Sequence, residues 1–397
     1  MPPATPDVPA DILQYDADMR AVRHQIHAHP ELAYEEFQTS DLVARMLTEW
    51  GFIVTRGIGG TGLVGTLKVG DGDRAIGIRA DMDALPIREA TGKPYASVYE
   101  GKMHACGHDG HTATLLGAAR HLAATRNFDG TVHLIFQPAE EGLAGARAMI
   151  EDGLFERFPC DAVFAYHNMP GMPVGMFGFR AGPATASSDT VKLKVHGHGA
   201  HGSTPHEAVD PVLCAAHIVL ALQSIVSRNV DPRRMAVITV GAIHGGDAPN
   251  VIPDTVDLAL SVRAQHPQVR TQLRERIVDV VNAQAEVFGA RVDVDYQWRY
   301  PVLVNDDDMT ELARQVALDW LGPQAVVDNF EPLTASEDFS FMLQECPGSF
   351  LIIGNGDGAG GCMAHNPHYD FNDALLPIGA TYWTRLVERF LSIGGNA

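Results

Sequence analysis

The sequence predicts an α/β protein whose buried strands carry the functional residues, with a separate α+β unit inserted into its second half. Three observations predict this. Residues 75–80, 132–136, 162–166 and 350–353 are short runs rich in apolar and β-branched side chains, the pattern of strands buried on both faces of a sheet. Residues 112–125 read as a helix between two of those strands. From residue 190 to 296 the order changes to strand, helix, two strands, helix, strand, which is the ferredoxin-like split unit.

Taken in order, a first helix spans residues 10–28 and is stopped by Pro30, and a second spans 36–50 and ends at Gly51. Gly57-Ile-Gly-Gly-Thr-Gly62 fits the dinucleotide-binding pattern, with Asp81 at about the expected distance beyond it. That motif must open a helix, whereas residues 63–69 continue as a strand, so the glycines read as a hairpin-like loop and a nicotinamide enzyme is excluded. The inserted unit comprises strand 190–195, helix 209–226, strands 235–242 and 256–262, helix 268–288 and strand 291–296. The first domain then resumes through helix 309–320, so the expected domains are 1–186 with 298–397, and 187–297. No internal repeat or low-complexity tract is present.

A chain of 397 residues with 46% hydrophobic content can bury a large core and is expected to form two domains. Its formal net charge is −20 and its 29 basic residues form no dense run, which excludes nucleic acid as a main partner. The longest apolar stretch, 212–225, is interrupted by His217 and Gln223, and residues 1–9 lack a basic and an apolar region. No membrane span or signal peptide is therefore expected. Five scattered cysteines, Cys106, Cys160, Cys214, Cys346 and Cys362, argue against a disulfide framework and for a reducing compartment, with cytoplasm as the expected location.

Four stretches place metal-ligand residues where an apolar run stops: His104-Ala-Cys106-Gly-His108-Asp109, Gln137-Pro-Ala-Glu140-Glu141, Ala165-Tyr-His167-Asn168 and Ala364-His365-Asn366-Pro367. In open α/β sheets ligands collect beyond the carboxyl ends of the strands, so these residues are expected to share one binuclear metal site. Thiolate, imidazole and carboxylate are donors that divalent transition metals bind. Glu140 and Glu141 offer one carboxylate for a metal and one for proton transfer. The bland reading of that pair, an acidic first helical turn, is weakened by the repulsion two adjacent carboxylates suffer without a cation between them. Asp83 is assigned the other nitrogen of a metal-bound imidazole, and Asp81 is left without a role. His24, His27, His29, His111, His121 and His133 have no such support.

With these residues in view the chain resembles the peptidase-M20-type amidohydrolases, in the branch of hippurate hydrolases, aminoacylase-like N-acyl-amino-acid hydrolases and plant auxin-conjugate hydrolases. The match runs over nearly the whole chain. Its motifs are His27-Ala-His-Pro-Glu31-Leu32, Arg79-Ala-Asp81-Met-Asp83-Ala-Leu-Pro86, His104-Ala-Cys-Gly-His-Asp109, Gln137-Pro-Ala-Glu-Glu141, Gly199-Ala-His201-Gly-Ser-Thr-Pro-His206, Asn250-Val-Ile-Pro253, Ser336-Glu-Asp-Phe339 and His365-Asn-Pro367. The resemblance implies a metallopeptidase-like catalytic domain with a mixed sheet flanked by helices and an inserted ferredoxin-like lid and dimerisation domain. It also implies two divalent metal ions, zinc or manganese with cobalt or nickel as alternatives, held by Cys106, His108, Glu141, His167 and His365, with Glu140 as general base. A lid histidine matching His201 would stabilise the oxyanion of a neighbouring subunit's site, and Asn250 and Arg263 would hold the substrate carboxylate. The segment Leu260-Ser-Val-Arg263 departs from the more usual Gly-Thr-Val-Arg form, and Ala364 stands where a leucine often precedes the last histidine.

The implied activity is hydrolysis of the amide of an N-acyl or N-aroyl amino acid, hippurate-like, by a homodimer or tetramer. Two alternatives stay open: a dipeptidase or aminopeptidase on the same metals, distinguished by its need for a free α-amine, and a catalytically silent metal-binding homologue, distinguished by bound metal without turnover.

Overall fold

The computed structural model describes residues 7–357 and 363–393. Cys362 and the start of the Pro-rich N-terminus lie outside the described residues. The chain divides into two compact units. The first runs to Gly182 and resumes over Val304–Glu331 and from Phe341; the second is Pro183–Leu303 with Pro332–Ser340.

The first unit opens with helices α1 (Ala10–Leu13), α2 (Asp16–Ala28) and α3 (Phe37–Glu49). The sequence predicts one helix over 10–28, and a local competition breaks it. Gln14 Nε2 donates to Asp11 O at 2.7 Å, and the Tyr15 N–H turns back to Ile12 O. Strands β1 (Ile53–Ile58) and β2 (Gly62–Val69) form the hairpin that the glycine loop predicts, paired antiparallel. There follow β3 (Ala75–Asp81), α4 (His108–Thr125), β4 (Gly130–Gln137), the short turns α5 (Glu140–Leu143), α6 (Gly145–Glu151) and α7 (Leu154–Arg157), then β5 (Ala162–Met169) and β6 (Phe177–Phe179).

After β7 (Gly182–Thr185), the second unit contains β8 (Ser188–His196), β9 (Ala200–His201), α8 (Pro211–Arg228), β10 (Ala236–His244), β11 (Val251–Ile252), β12 (Thr255–Ala264), α9 (Pro267–Val287) and β13 (Arg291–Tyr300). The chain continues through β14 (Leu303–Asn305), α10 (Asp307–Leu321), β15 (Val326–Asp328), α11 (Phe339–Glu345), β16 (Gly348–Gly354) and α12 (Leu375–Phe390). Helix α12 contains Pro377 and Gly379, residues that disfavour a helix interior. Both stand in the opening turns of α12, where the first amides have no partner within the helix and a missing N–H is tolerated.

The large sheet has the order β1-β2-β4-β3-β5-β16-β6-β15. Its centre is parallel, β4 with β3, β3 with β5 and β5 with β16, while β1–β2, β2–β4 and β16–β6 pair antiparallel. The sheet is therefore mixed, as expected. Strands β3 and β16 are buried along their whole length, which explains their unbroken apolar character. Helix α4 packs on α2 and α12, and Trp383 of α12 stacks on Tyr166 with ring centroids 5.1 Å apart. The parallel strands end together, which brings the segments that follow β3 and β4, the end of β5, and the segment beyond β16 to one edge.

In the second unit four antiparallel strands take the order β10-β12-β8-β13. The inward residues of β8 and β12, among them Leu193, Val195, Leu258 and Leu260, pack with Ile218 and Leu222 of α8 and Leu273 and Ile277 of α9. Helix α8 is long and apolar enough to cross a membrane, with mean hydropathy 1.5. Its row Cys214, Ile218, Leu222 and Ile225 instead belongs to this unit's core, and Asp210 caps it by accepting the Val212 and Leu213 N–H groups. The segment Pro332–Ser340, which the sequence reading leaves with the first domain, joins this unit through Leu333 O and Ala335 O, both accepting from the Ala186 N–H.

Candidate metal centre

Three backbone devices aim the side chains of the first unit. Gly107, between Cys106 and His108, has φ +97°, and a Cβ there would lie 2.4 Å from Asn168 Oδ1 and 2.6 Å from Tyr369 Oη. Only glycine lets the two candidate ligands flank so tight a turn. After β4, Ala139 and Ala144 both adopt left-handed backbone, φ +55° and +57°, which turns Glu140 and Glu141 away from the strand direction. Asp83 holds that turn: its carboxylate accepts the Glu140 N–H at 3.0 Å and the Glu141 N–H at 2.9 Å.

The candidate ligand atoms then fall into overlapping groups, each within 4.8 Å: Cys106, His108 and His167; Cys106, Glu141 and His365; and His108, Glu140 and Glu141. Cys106 belongs to two of them. Cys106 Sγ lies 3.2 Å from His167 Nε2, and His365 Nε2 lies 3.2 Å from Glu141 Oε1. Such a layout offers donors for two divalent cations, with the Cys106 thiolate available to either group.

The donors fit such ions on their own chemistry. His108 Nε2 is buried without a hydrogen-bond partner, rare for a polar atom in a protein interior. His108 Nδ1 meets Asp83 O at 2.9 Å, which leaves Nε2 as the lone-pair nitrogen that a metal requires. Electrostatics favour positive charge here. Hydrogen bonds to Cys106 and Glu141 push His365 up to about 10. At His108 burial opposes protonation, yet neighbouring Asp81 and Cys106 prevail and raise its pKa well above the usual value. Burial pushes His167 down to about 3 and, with Glu141, pushes the Cys106 thiol up. A cation would reverse the last effect, since it binds the thiolate.

The matching family description is peptidase family M20/M25/M40, over residues 77–389. The chain belongs to this family. This M20 protein is 45% identical over 383 residues to the hippurate hydrolase of Campylobacter jejuni, covering 96% of this chain and 98% of that one. It is 39% identical over 376 residues to the N-acetyl-L-cysteine deacetylase of Bacillus subtilis, covering 94% and 88%. Among solved structures it is similar to the YXEP protein of Bacillus subtilis, described as a dinuclear metal-binding peptidase of the M20 family. The TM-score is 0.83 at 32% identity, over 96% of this chain and 99% of that one.

The other predicted site residues of the M20 chain lie in the second unit. His201 is exposed on β9, and its Nδ1 accepts from the Ser203 N–H at 3.1 Å and meets Ser203 Oγ at 2.8 Å. Asn250 sits beside it, its O accepting the Gly202 N–H at 2.8 Å. Arg263 on β12 is half-buried, and its Nη1 donates to Ser336 Oγ at 3.2 Å.

Sequence reasoning passed over several residues that the fold brings to the cluster. His111 bridges Asp81 Oδ1 at 2.6 Å and Asn168 Oδ1 at 2.7 Å, and its ring centroid lies 4.9 Å from that of His167. Its spacing of three from His108 on α4, which puts both on one helix face, was the available signal. Asp81 is fully buried and also accepts from Arg79 Nη1 at 2.8 Å. His27, likewise without support from sequence, places Nδ1 2.8 Å from Asp109 Oδ2. The carboxylate of Asp83, expected to serve an imidazole, is chiefly engaged by the Glu140 and Glu141 amides, with His108 Nδ1 3.3 Å from Oδ1.

Proposed function

We propose that the chain is a homodimeric amidohydrolase, using two divalent metal ions, that cleaves N-acyl or N-aroyl amino acids of the hippurate type into a carboxylic acid and a free amino acid. The observation that carries this reading is the pair of donor triads sharing Cys106, with Glu140 beside them. The named relatives, a hippurate hydrolase and an N-acetyl-L-cysteine deacetylase, support the substrate class. Cys106, His108, Glu141, His167 and His365 would hold the ions, zinc or manganese with cobalt or nickel as alternatives. Bound there, such ions supply Lewis-acid polarisation of the amide carbonyl and acidify a water.

The chain's own residues do the rest. Glu140, nearly buried, takes the proton of the attacking water and passes it to the departing nitrogen, because an amine cannot leave as its anion. Asp83 keeps that carboxylate aimed through the Glu140 amide. His201 donates to the oxyanion of a neighbouring subunit's substrate. Its Nδ1 is engaged by Ser203, which makes Nε2 the donating nitrogen. Arg263 and Asn250 hold the α-carboxylate, for which a guanidinium fork is suited. None of the four described cysteines is in a disulfide, which supports a reducing cytoplasm.

Turnover measured across N-benzoyl amino acids, N-acetyl amino acids and free-amine dipeptides, with zinc or manganese supplied, tests the assignment. Hydrolysis of N-benzoylglycine and its kin is expected. Cleavage confined to substrates with a free α-amine would instead mark a dipeptidase or aminopeptidase.

A further inference from the structure

Arg23 of α2 has no part in the chemistry above, yet its side chain is fully buried. Its donors spread over two segments of the candidate centre. Nε donates to Asp109 Oδ2 at 2.9 Å, Nη1 to Phe371 O at 2.9 Å and to Asp373 Oδ1 at 2.5 Å, and Nη2 to Asp370 Oδ1. Asp109 follows His108 at the start of α4. Asp370, Phe371 and Asp373 follow His365 in a stretch, 363–373, that contains no helix or strand. One guanidinium therefore ties the turn bearing Cys106 and His108 to the segment bearing His365. His27, one helical turn after Arg23, meets the same Asp109 oxygen at 2.8 Å.

Regular structure does not fix residues 363–373, so their position depends on individual ties. His365 N–H donates to Ala105 O at 2.7 Å and the Ala90 N–H to Pro367 O at 2.8 Å, while Arg23 holds the distal end. A buried guanidinium is stable only with its donors satisfied, and three carboxylates gathered around a vacant position would repel one another. Without Arg23 the His365 segment is expected to swing away from Asp109. Cys106 and His108 stand in the buried turn that opens α4 and His167 on β5, so they should stay.

We propose that Arg23 is a positioning residue that holds His365 in register with Cys106 and Glu141, and so sets the affinity for one of two cations without touching either. The proposal rests on the two-cation reading. It predicts an asymmetric defect: the ion held by Cys106, His108 and His167 is retained, and the ion that also needs His365 is weakened. Loss of a partner behind a metal ligand typically weakens metal binding about 10- to 100-fold.

The test uses the full chain, stripped of metal and titrated with zinc at controlled free concentration, with bound zinc counted per chain and activity followed alongside. Arg23→Lys keeps the charge but not the fork; Asp370→Ala, at the partly exposed rim, removes one partner and is the variant that decides if Arg23→Lys fails to fold. In both, the tighter zinc should bind as in wild type and the weaker one about 10- to 100-fold less tightly, by the smaller factor in Asp370→Ala, with excess zinc restoring kcat. Two zinc ions bound with unchanged constants in the variants would overturn the proposal, even if melting temperatures fell. A wild-type chain that never binds two zinc ions would instead overturn the two-cation reading.

Discussion

At the scale of single residues, Glu140 and Glu141 are chemically identical and adjacent, and the turn that carries them separates the tasks proposed for them. Left-handed Ala139 and the Asp83 clamp send Glu141 to the Cys106–His365 triad and keep Glu140 within reach of His108 and Glu141. Glu140→Gln preserves shape and removes the base, so it should keep metal and substrate binding while kcat falls about 10²–10⁴-fold, the scale of lost acid–base catalysis. Glu141→Gln should lower metal content first and activity as a consequence. Metal analysis beside steady-state kinetics checks both. Near-normal kcat in a fully loaded Glu140→Gln protein would remove Glu140 from the base role.

At the scale of elements, the turn that carries this pair is held from α3. Glu36, the residue preceding that helix, is fully buried, accepts the Ala139 N–H at 2.9 Å and receives a hydrogen bond from Thr61 Oγ1. Burial pushes its carboxyl up to about 7. An acid whose folded pKa exceeds its unfolded value binds more protons when folded, so its contribution to stability is present at low pH and lost as pH rises from about 4.5 to 7. A pKa displaced that far corresponds to a loss on the order of 3 kcal/mol. Glu36→Gln, neutral throughout, should therefore lose less stability than wild type over that interval. Denaturant unfolding of both proteins at several pH values measures it, and parallel curves would show that Glu36 does not titrate there.

The same elements mark what the sequence can and cannot reveal. Buried parallel strands announce themselves by unbroken apolar runs, and their ends pointed to Asp83, Glu140, Glu141, His167 and, more distantly, His365 without a structure, while Cys106 and His108 stood out by their spacing at a helix entrance. Arg23, His27 and the Asp109–Asp370–Asp373 carboxylates gave no such sign. Arg23 meets partners up to 350 residues away, and a buried polar network has neither period nor spacing to betray it. His111 and Asp81 were legible only in part, through helix and strand spacing, because burial decides which polar residues matter and one sequence does not display burial.

At the scale of the whole molecule, the donor triads and Glu140 lie on the first unit, whereas His201, Asn250 and Arg263, proposed to contact substrate, lie on the second. Among the described residues the second unit's sheet ends in the edge strands β10 and β13, and α8 exposes Val212, Leu213 and Leu220 while burying its opposite face. Unpaired edges and an apolar helix face favour association with another copy, which fits the proposed homodimer. If His201 serves the neighbouring subunit, His201→Ala and Glu140→Gln proteins should each be nearly inactive alone. In a heterodimer, however, the subunit with intact Glu140 faces a partner with intact His201, so one of the two sites is whole and the other lacks both groups. Co-expression with two affinity tags isolates the heterodimer, and mass spectrometry confirms its composition. About half the wild-type turnover per dimer is expected from the single restored site. Heterodimers as inactive as either parent would place His201 in its own subunit's chemistry or outside the reaction altogether.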